Sequence, residues 1–265
     1  MTDEILVARD GPVLTLTLNR PEKFNALTFG MYQKLAEICQ GIKVGQGITP
    51  GGDVRVIIVT GAGQKAFAAG TDINQFRAFK SPEDGLGDEA QVDKILGAIE
   101  RCPVPIIAAI SGACTGGGAA IAACCDMRIG TRDMRYGFPI ARTLGNCLSA
   151  TSLQRLTGLI GAPRVTDLVF TSRLMEATEC HTCGLVTELH DSHEALMVRA
   201  AALAHQIAGF APLTLSTTKE LMRRIREAGP KVDDHDLVAK VYTSADFREG
   251  LDAFLTKRKP VWTGQ

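Results

Sequence analysis

Two glycine-bearing turns hold the residues best suited, by type and spacing, to do chemistry. The first is Ala66-Phe67-Ala68-Ala69-Gly70-Thr71-Asp72, and the second is Ser111-Gly112-Ala113-Cys114-Thr115-Gly116-Gly117-Gly118. Each follows a β-rich stretch and precedes a helical pattern. Such a turn leaves backbone N–H groups free at the start of a helix, where the dipole also favours negative charge. Brought together, two turns of this kind can hold an oxyanion with main chain alone. Three consecutive glycines permit a close approach that any Cβ would block. The competing reading is that both are tight packing turns, and spacing alone leaves the two open.

Other motifs carry less. Gly61-Ala62-Gly63-Gln64-Lys65-Ala66 has the G-x-G-x-x-A spacing of a dinucleotide-binding turn, but Gly70 interrupts the helix that motif requires. Lys65 is not followed by Ser or Thr, so there is no phosphate-binding P-loop. Cys180-His181-Thr182-Cys183 has a C-x-x-C spacing, with no second pair to complete a zinc site. Thiols packed inside a short helix over 175–183 are the simpler reading, and a zinc or redox centre is the alternative. No G-x-S-x-G elbow is present. Asp126 and Arg128 flank a strand start and read as a structural ion pair or cap.

The elements that would position the two turns follow from periodicity. Ile5 to Leu18 alternates around Asp10-Gly11, a hairpin pattern. A helix capped by Thr28 runs to about Ile42, with Met31, Leu35, Ile38 and Ile42 at helical spacing. Val54 to Thr60 is a strand apolar enough for burial on both faces. The segments 45–52 and 81–89 read as polar loops, the second acidic and mobile, with a helix from about Glu89 to Arg101. From Cys102 to Cys125 there is no charged residue. That run is long enough to span a membrane, yet Pro103, Pro105 and four glycines break any helix. A strand over Ile106–Ile110, a glycine loop and a short buried helix fit it better. Short strands are expected at Met127–Gly130 and Leu185–Leu189, and three or four amphipathic helices from His193 to Lys257. The division predicted is a mixed α/β core over 1–192 and a helical region over 193–265, with no clear internal repeat.

The chain has 265 residues, 45% apolar and 22% charged, an ordinary globular mix for one or two domains. Lys plus Arg number 29 and Asp plus Glu number 29, which argues against a nucleic-acid or membrane-surface partner. Eight scattered cysteines and an opening Met-Thr-Asp-Glu, without basic and apolar leader regions, predict a cytoplasmic protein with reduced thiols.

At the two turns the sequence resembles the crotonase superfamily, the enoyl-CoA hydratase/isomerase family. Asn19-Arg20-Pro21-Glu22-Lys23-Phe24-Asn25-Ala26-Leu27 is similar to the family's N-R-P-x-x-x-N-A-L opening, and Lys65 to Ile73 to its K-A-F-x-A-G-A-D-I segment. Pro105 to Asp126 is similar to its P-x-I-A-A-V-x-G-x-x-x-G-G-G…C-D segment. Gln154-Arg155-Leu156, Gly184-Leu185-Val186 and Glu249-Gly250…Phe254…Lys257 follow in order. The resemblance implies an α/β spiral of ββα repeats with two nearly perpendicular sheets and a C-terminal helical trimerisation region. It implies an acyl-CoA thioester as substrate, with no cofactor and no metal. The amides of Thr71 and Gly117 would hold an enolate-like thioester oxygen. CoA would lie along Lys23, Ala66, Ala69, Asp72, Ile73 and Asn74, with Phe254 and Lys257 approaching from the C-terminal helix of the same or a neighbouring subunit. A homotrimer or dimer of trimers is the implied assembly.

Two departures shape the expected reaction. Hydratases of this family orient a water with two glutamates. The first stands two residues after the triple glycine, where this chain has Ala120. The second follows a G-x-P, and here Gly137-Phe138-Pro139 is followed by Ile140 and Ala141. Neither can move a proton, so hydration by the usual pair of carboxylates is not expected. The polar group would come from elsewhere: Arg142 or Asn146, beside Thr143 and Cys147, or Asp84, Asp88 and Glu89. The alternatives are a non-catalytic acyl-CoA binding protein, and a hydrolase- or isomerase-type homologue using other polar residues.

Overall fold

The computed structural model describes residues 3–43, 53–78, 82–229 and 233–263; the expected loop over 45–52 lies wholly outside them. β1 (Ile5–Asp10) and β2 (Val13–Leu18) form the antiparallel hairpin read from the sequence, with Ile5 opposite Leu18 and Asp10 opposite Val13. β2 then pairs in parallel with β3 (Val56–Gly61), β3 with β5 (Ile106–Ile110), β5 with β7 (Met127–Thr131), and β7 with β10 (Leu189–His190). A second sheet has the order β4 (Ala66–Ala68), β6 (Ala113–Thr115), β8 (Arg135–Gly137), β9 (Met175–Glu176).

The two sheets are built by a repeating path. β3 leads to β4, β5 to β6 and β7 to β8. Each pair then feeds a helix: α2 (Pro82–Glu100), α3 (Gly117–Cys124) and α4 (Ile140–Thr143). This is the expected spiral of ββα units. The sequence shows no period because the three helices differ so much in length.

Strand alternation explains the apolar runs. Val56 and Ile58 of β3, with Ile107 and Ala109 of β5, face Leu196, Ala200, Leu203 and Ala204 of α8 (His193–Ala208). Ile57, Val59, Ile106, Ala108 and Ile110 face the main core with α1 (Phe29–Gly41), α2 and α3. The central strands are therefore covered on both sides. Among the described residues no single helix is long and apolar enough to cross a membrane. The uncharged run holds the expected strand and buried helix, and the glycine loop expected between them contains a further short strand, β6.

Some elements differ from the sequence reading. The acidic stretch expected as a mobile loop is, from Pro82 onward, the first part of α2. Its two glycines are poor helix formers, but packing outweighs them. A Cβ on Gly85 would lie 2.5 Å from Tyr242 of α10 (His235–Tyr242), and the Tyr242 hydroxyl donates to Glu89 at 2.7 Å. The strand expected at Leu185–Leu189 is reduced to Leu189–His190, the residues in parallel register with Gly130 and Thr131 of β7, although Thr187 and Glu188 also hydrogen-bond to that strand. Asp126 and Arg128 are structural, though they form no ion pair among the described residues; Arg128 reaches only the backbone carbonyl of Asp126, at 3.4 Å. Asp126 accepts from Ile106 N and from Lys219 of α9 (Pro212–Glu227). Arg128 is buried and donates to the carbonyls of Leu185, Ala122 and Cys125. Among the described residues the C-terminal region holds four helices, α8, α9, α10 and α11 (Ala245–Leu255).

A buried ion cluster ties three helices together. Glu100, at the end of α2, is 8% exposed. It receives Arg155 of α5 (Ala150–Ile160) at 2.7 and 2.9 Å and both arms of Arg226 of α9. Burial pushes the Glu100 carboxyl up, but the hydrogen bonds from Arg155 and Arg226 outweigh it and hold it below its usual value. A folded-state value below the unfolded one gives stability that is whole above the unfolded value and is lost as pH falls through the folded one. Glu100→Gln is expected to cost about 3–5 kcal/mol at neutral pH in urea unfolding. Its stability should also fall less steeply than the wild type's as pH drops below the ordinary glutamate range.

Candidate active site

The first turn is fixed by the segment that follows β2. Pro21–Lys23 make one 3-10 turn, after which Phe24 and Asn25 have positive φ (51° and 55°), a region asparagine tolerates better than most residues. Asn25 is completely buried. Its Oδ1 accepts from Arg20 N at 3.0 Å, and its Nδ2 donates to Ala62 O at 3.0 Å and Ala66 O at 2.7 Å. Arg20 donates to Ala26 O at 2.6 Å and to Asp72 Oδ2 at 2.9 Å. Ala69 N donates to Phe24 O, Leu27 N to Gly70 O and Asp72 N to Leu27 O. The chain from Ala66 to Asp72 is thus held along the segment from Arg20 to Leu27.

This pattern aims an amide. Leu27 bonds the groups on either side of Thr71, as in a parallel bridge, so Thr71's own N–H points to the opposite side. Among the described residues it meets no acceptor. Gly117 is the first residue of α3, so its N–H has no carbonyl in a preceding turn.

The structure brings the two turns into contact. β4 and β6 pair in parallel, Ala66 with Ala113 and Ala68 with Cys114. Gly116 adopts φ 51°, ψ −122° as the cap of α3, and its N–H donates to Gly137 O at 3.0 Å. A Cβ on Gly118 would stand 2.4 Å from Ala68 O, and one on Gly117 would stand 3.0 Å from Thr71 Oγ1. The glycine run is therefore required by approach, as its sequence implied. Both Thr71 and Gly117 are half-buried, leaving one face open.

Tyr32 was not singled out by sequence. Its hydroxyl lies 2.9 Å from Thr71 Oγ1. The helical stripe of Met31, Leu35 and their neighbours takes Tyr32 into the same buried face of α1. A tyrosine on such a face needs a hydrogen-bond partner, which is the signal that could have found it.

The remaining expected residues fall into groups. Lys23, Ala69 and Asn74 are exposed, Ile73 and Asp72 are half-buried, and Ala66 is buried in β4. Burial pushes Asp72 up, but hydrogen bonds from Asn74 and Arg20 outweigh it and hold its carboxyl below the usual range. Phe254 and Lys257 are exposed on and after α11 and make no hydrogen bond or ion pair with either turn among the described residues. Arg142 is exposed on α4. Asn146 is partly buried, and its Oδ1 is buried with no partner among the described residues. Ala120 and Ile140 are buried and Ala141 is exposed. Glu89 is engaged by Tyr242, while the side chains of Asp84 and Asp88 lie outside the described residues. Cys180 is buried on α7 (Ala177–Thr182), and burial pushes its thiol up to about 12. Neither it nor Cys183 belongs to a cluster able to hold a metal ion among the described residues.

Comparison with known proteins covers nearly the whole chain. The enoyl-CoA hydratase/isomerase family matches residues 8–265. A putative enoyl-CoA hydratase/isomerase, YngF, from Bacillus subtilis is 32% identical, covering 100% of each chain. Among solved structures, an enoyl-CoA hydratase/carnithine racemase from Magnetospirillum magneticum is 33% identical with a TM-score of 0.77, covering 100% of this chain and 97% of that one. A methylmalonyl-CoA decarboxylase in complex with 2-nitronate-propionyl-CoA is 26% identical with a TM-score of 0.87, covering 99% of each. With nearly its whole length matched, the chain belongs to the enoyl-CoA hydratase/isomerase family.

Proposed function

We propose that the protein is an acyl-CoA thioester enzyme that stabilises a thioester enolate with the backbone amides of Thr71 and Gly117. The observation that carries this reading is the convergence of two turns, each with an N–H that has no acceptor among the described residues. Donors fixed before reaction stabilise developing charge without reorganising, and removing one typically costs about 10²–10³ in kcat. CoA is proposed to run along Lys23, Ala66, Ala69, Asp72, Ile73 and Asn74, with Phe254 and Lys257 contributed from the C-terminal helix of a neighbouring subunit. Arg142 and Asn146 are the polar residues proposed to orient the acyl group; the unpartnered Oδ1 of Asn146 supports the second. The step needs no cofactor and no metal.

Ala120, Ile140 and Ala141 supply no carboxylate, so the proposed reaction is one that reaches the enolate without activating water. Loss of CO2 from a 2-carboxyacyl thioester meets that condition. The carbon–carbon bond breaks, its electron pair passes to the thioester oxygen, and a proton from solvent completes the α-carbon. The likeness to the methylmalonyl-CoA decarboxylase, at a TM-score of 0.87, favours this reading.

The assembly proposed is a homotrimer or a dimer of trimers built through the helical region over 193–265, beside a spiral core over 1–192. In support, α9 has no buried residue and exposes Leu213, Leu221, Met222 and Ile225. Eight free cysteines fit a proposed cytoplasmic location.

The purified protein should turn over at least one member of a panel of enoyl-, β-keto- and 2-carboxyacyl-CoA thioesters, with the 2-carboxyacyl compounds favoured. Thr71→Pro, which deletes the amide donor, should lower kcat about 10²–10³-fold, at least tenfold beyond Thr71→Val. Tight binding without turnover would instead favour a non-catalytic acyl-CoA binding protein. Sedimentation should give a mass of three or six chains, reduced to one chain by the pair Leu221→Glu and Ile225→Glu.

A further inference from the structure

We infer that Tyr32 is a positioning residue of the amide pair: its hydroxyl occupies the space under Gly117 and holds Thr71, fixing the separation of the two donors. The inference rests on the reading of Thr71 and Gly117 as oxyanion donors. Those donors come from different ββα units. The ladder between β4 and β6 ends at Ala68 and Cys114. Beyond it, no backbone hydrogen bond joins residues 69–72 to residues 115–118 among the described residues. The turns need another link at the point where the chemistry is placed.

Tyr32 is placed to provide that link. Its Oη lies 2.9 Å from Thr71 Oγ1. A Cβ built on Gly117 would fall 1.8 Å from the same Oη and 3.0 Å from Thr71 Oγ1. The tyrosine hydroxyl therefore fills the site of the missing side chain at 117 while bonding the side chain at 71. Its own position is fixed from the same stitched segment. Leu27 bonds the first turn, Thr28 next to it caps α1 by accepting from Met31 N at 3.1 Å, and Tyr32 lies one helical turn further on. With 1% exposure, the ring has no room to swing away. Misplacing a reacting group by 1 Å can cost about 10²-fold, so a rigid spacer between the donors has catalytic weight.

The test reads carbonyl polarisation rather than stability. A chromophoric cinnamoyl-CoA thioester absorbs further to the red when its carbonyl oxygen is hydrogen-bonded. On the wild-type protein a red shift is expected. Tyr32→Phe keeps the ring and deletes the hydroxyl, and should at least halve that shift with the melting temperature little changed. Thr71→Ser should keep the shift. Thr71→Val should lower it as Tyr32→Phe does, and the double variant should lower it no further. If Tyr32→Phe does not fold, Thr71→Val decides in its place. A full wild-type shift in both Tyr32→Phe and Thr71→Val overturns the inference while leaving the amide site standing. Absence of binding or shift in the wild type overturns the site itself, and the inference with it.

Discussion

The carboxamide of Asn25 is the constraint on which the first half of the site depends. Its amide nitrogen has two hydrogens, both spent on the carbonyls of Ala62 and Ala66, and its oxygen takes the amide of Arg20. A group this buried would cost about 1–3 kcal/mol if left unpaired, so the chain is driven to the one arrangement that satisfies all three bonds. In that arrangement the segment after the hairpin lies against the segment after β3. Leu27 can then bond on both sides of Thr71, which sends the Thr71 amide outward.

The second half depends on space rather than on hydrogen bonds. α3 begins where backbone meets backbone, with Gly118 against Ala68 and Gly117 against the two hydroxyls. The surrounding residues are apolar because the central strands are covered on both faces, by α8 on one side and the main core on the other. The few charges near this core are fully engaged, as Arg128 is by four carbonyls and Glu100 by two arginines. Two amides at the edge of so apolar a region act in a medium of low polarisability, where their dipoles weigh more than in water.

Much of this was legible in the residues. The hairpin at Asp10-Gly11, the cap at Thr28, the strand before each turn and the glycine run all announce themselves by local chemistry, and the structure places them as read. Lost from view were features set by distant contacts. The first turns of α2 contain Gly85 and Gly87 in an acidic stretch and have no local reason to be helical; Tyr242, more than 150 residues away, supplies one. Asn25 was read only as a letter in a motif, since its three partners come from Arg20, Ala62 and Ala66 together. Tyr32 was hidden because a helical stripe reports that a face is buried and not what its polar atom touches.

The strand order carries a consequence for how the molecule comes into being. From β2 through β3, β5 and β7 to β10, each strand docks beside the previous strand of the same sheet. A polypeptide leaving the ribosome can therefore extend the sheet one unit at a time, always adding to an edge already formed and never inserting between strands. Parallel pairing makes each addition slow, because an intervening segment must first be ordered. Until the second unit arrives, the Thr71 amide stays exposed to water with no counterpart. This order lets the Gly117 turn settle against the Thr71 turn without waiting for the helices that follow β10.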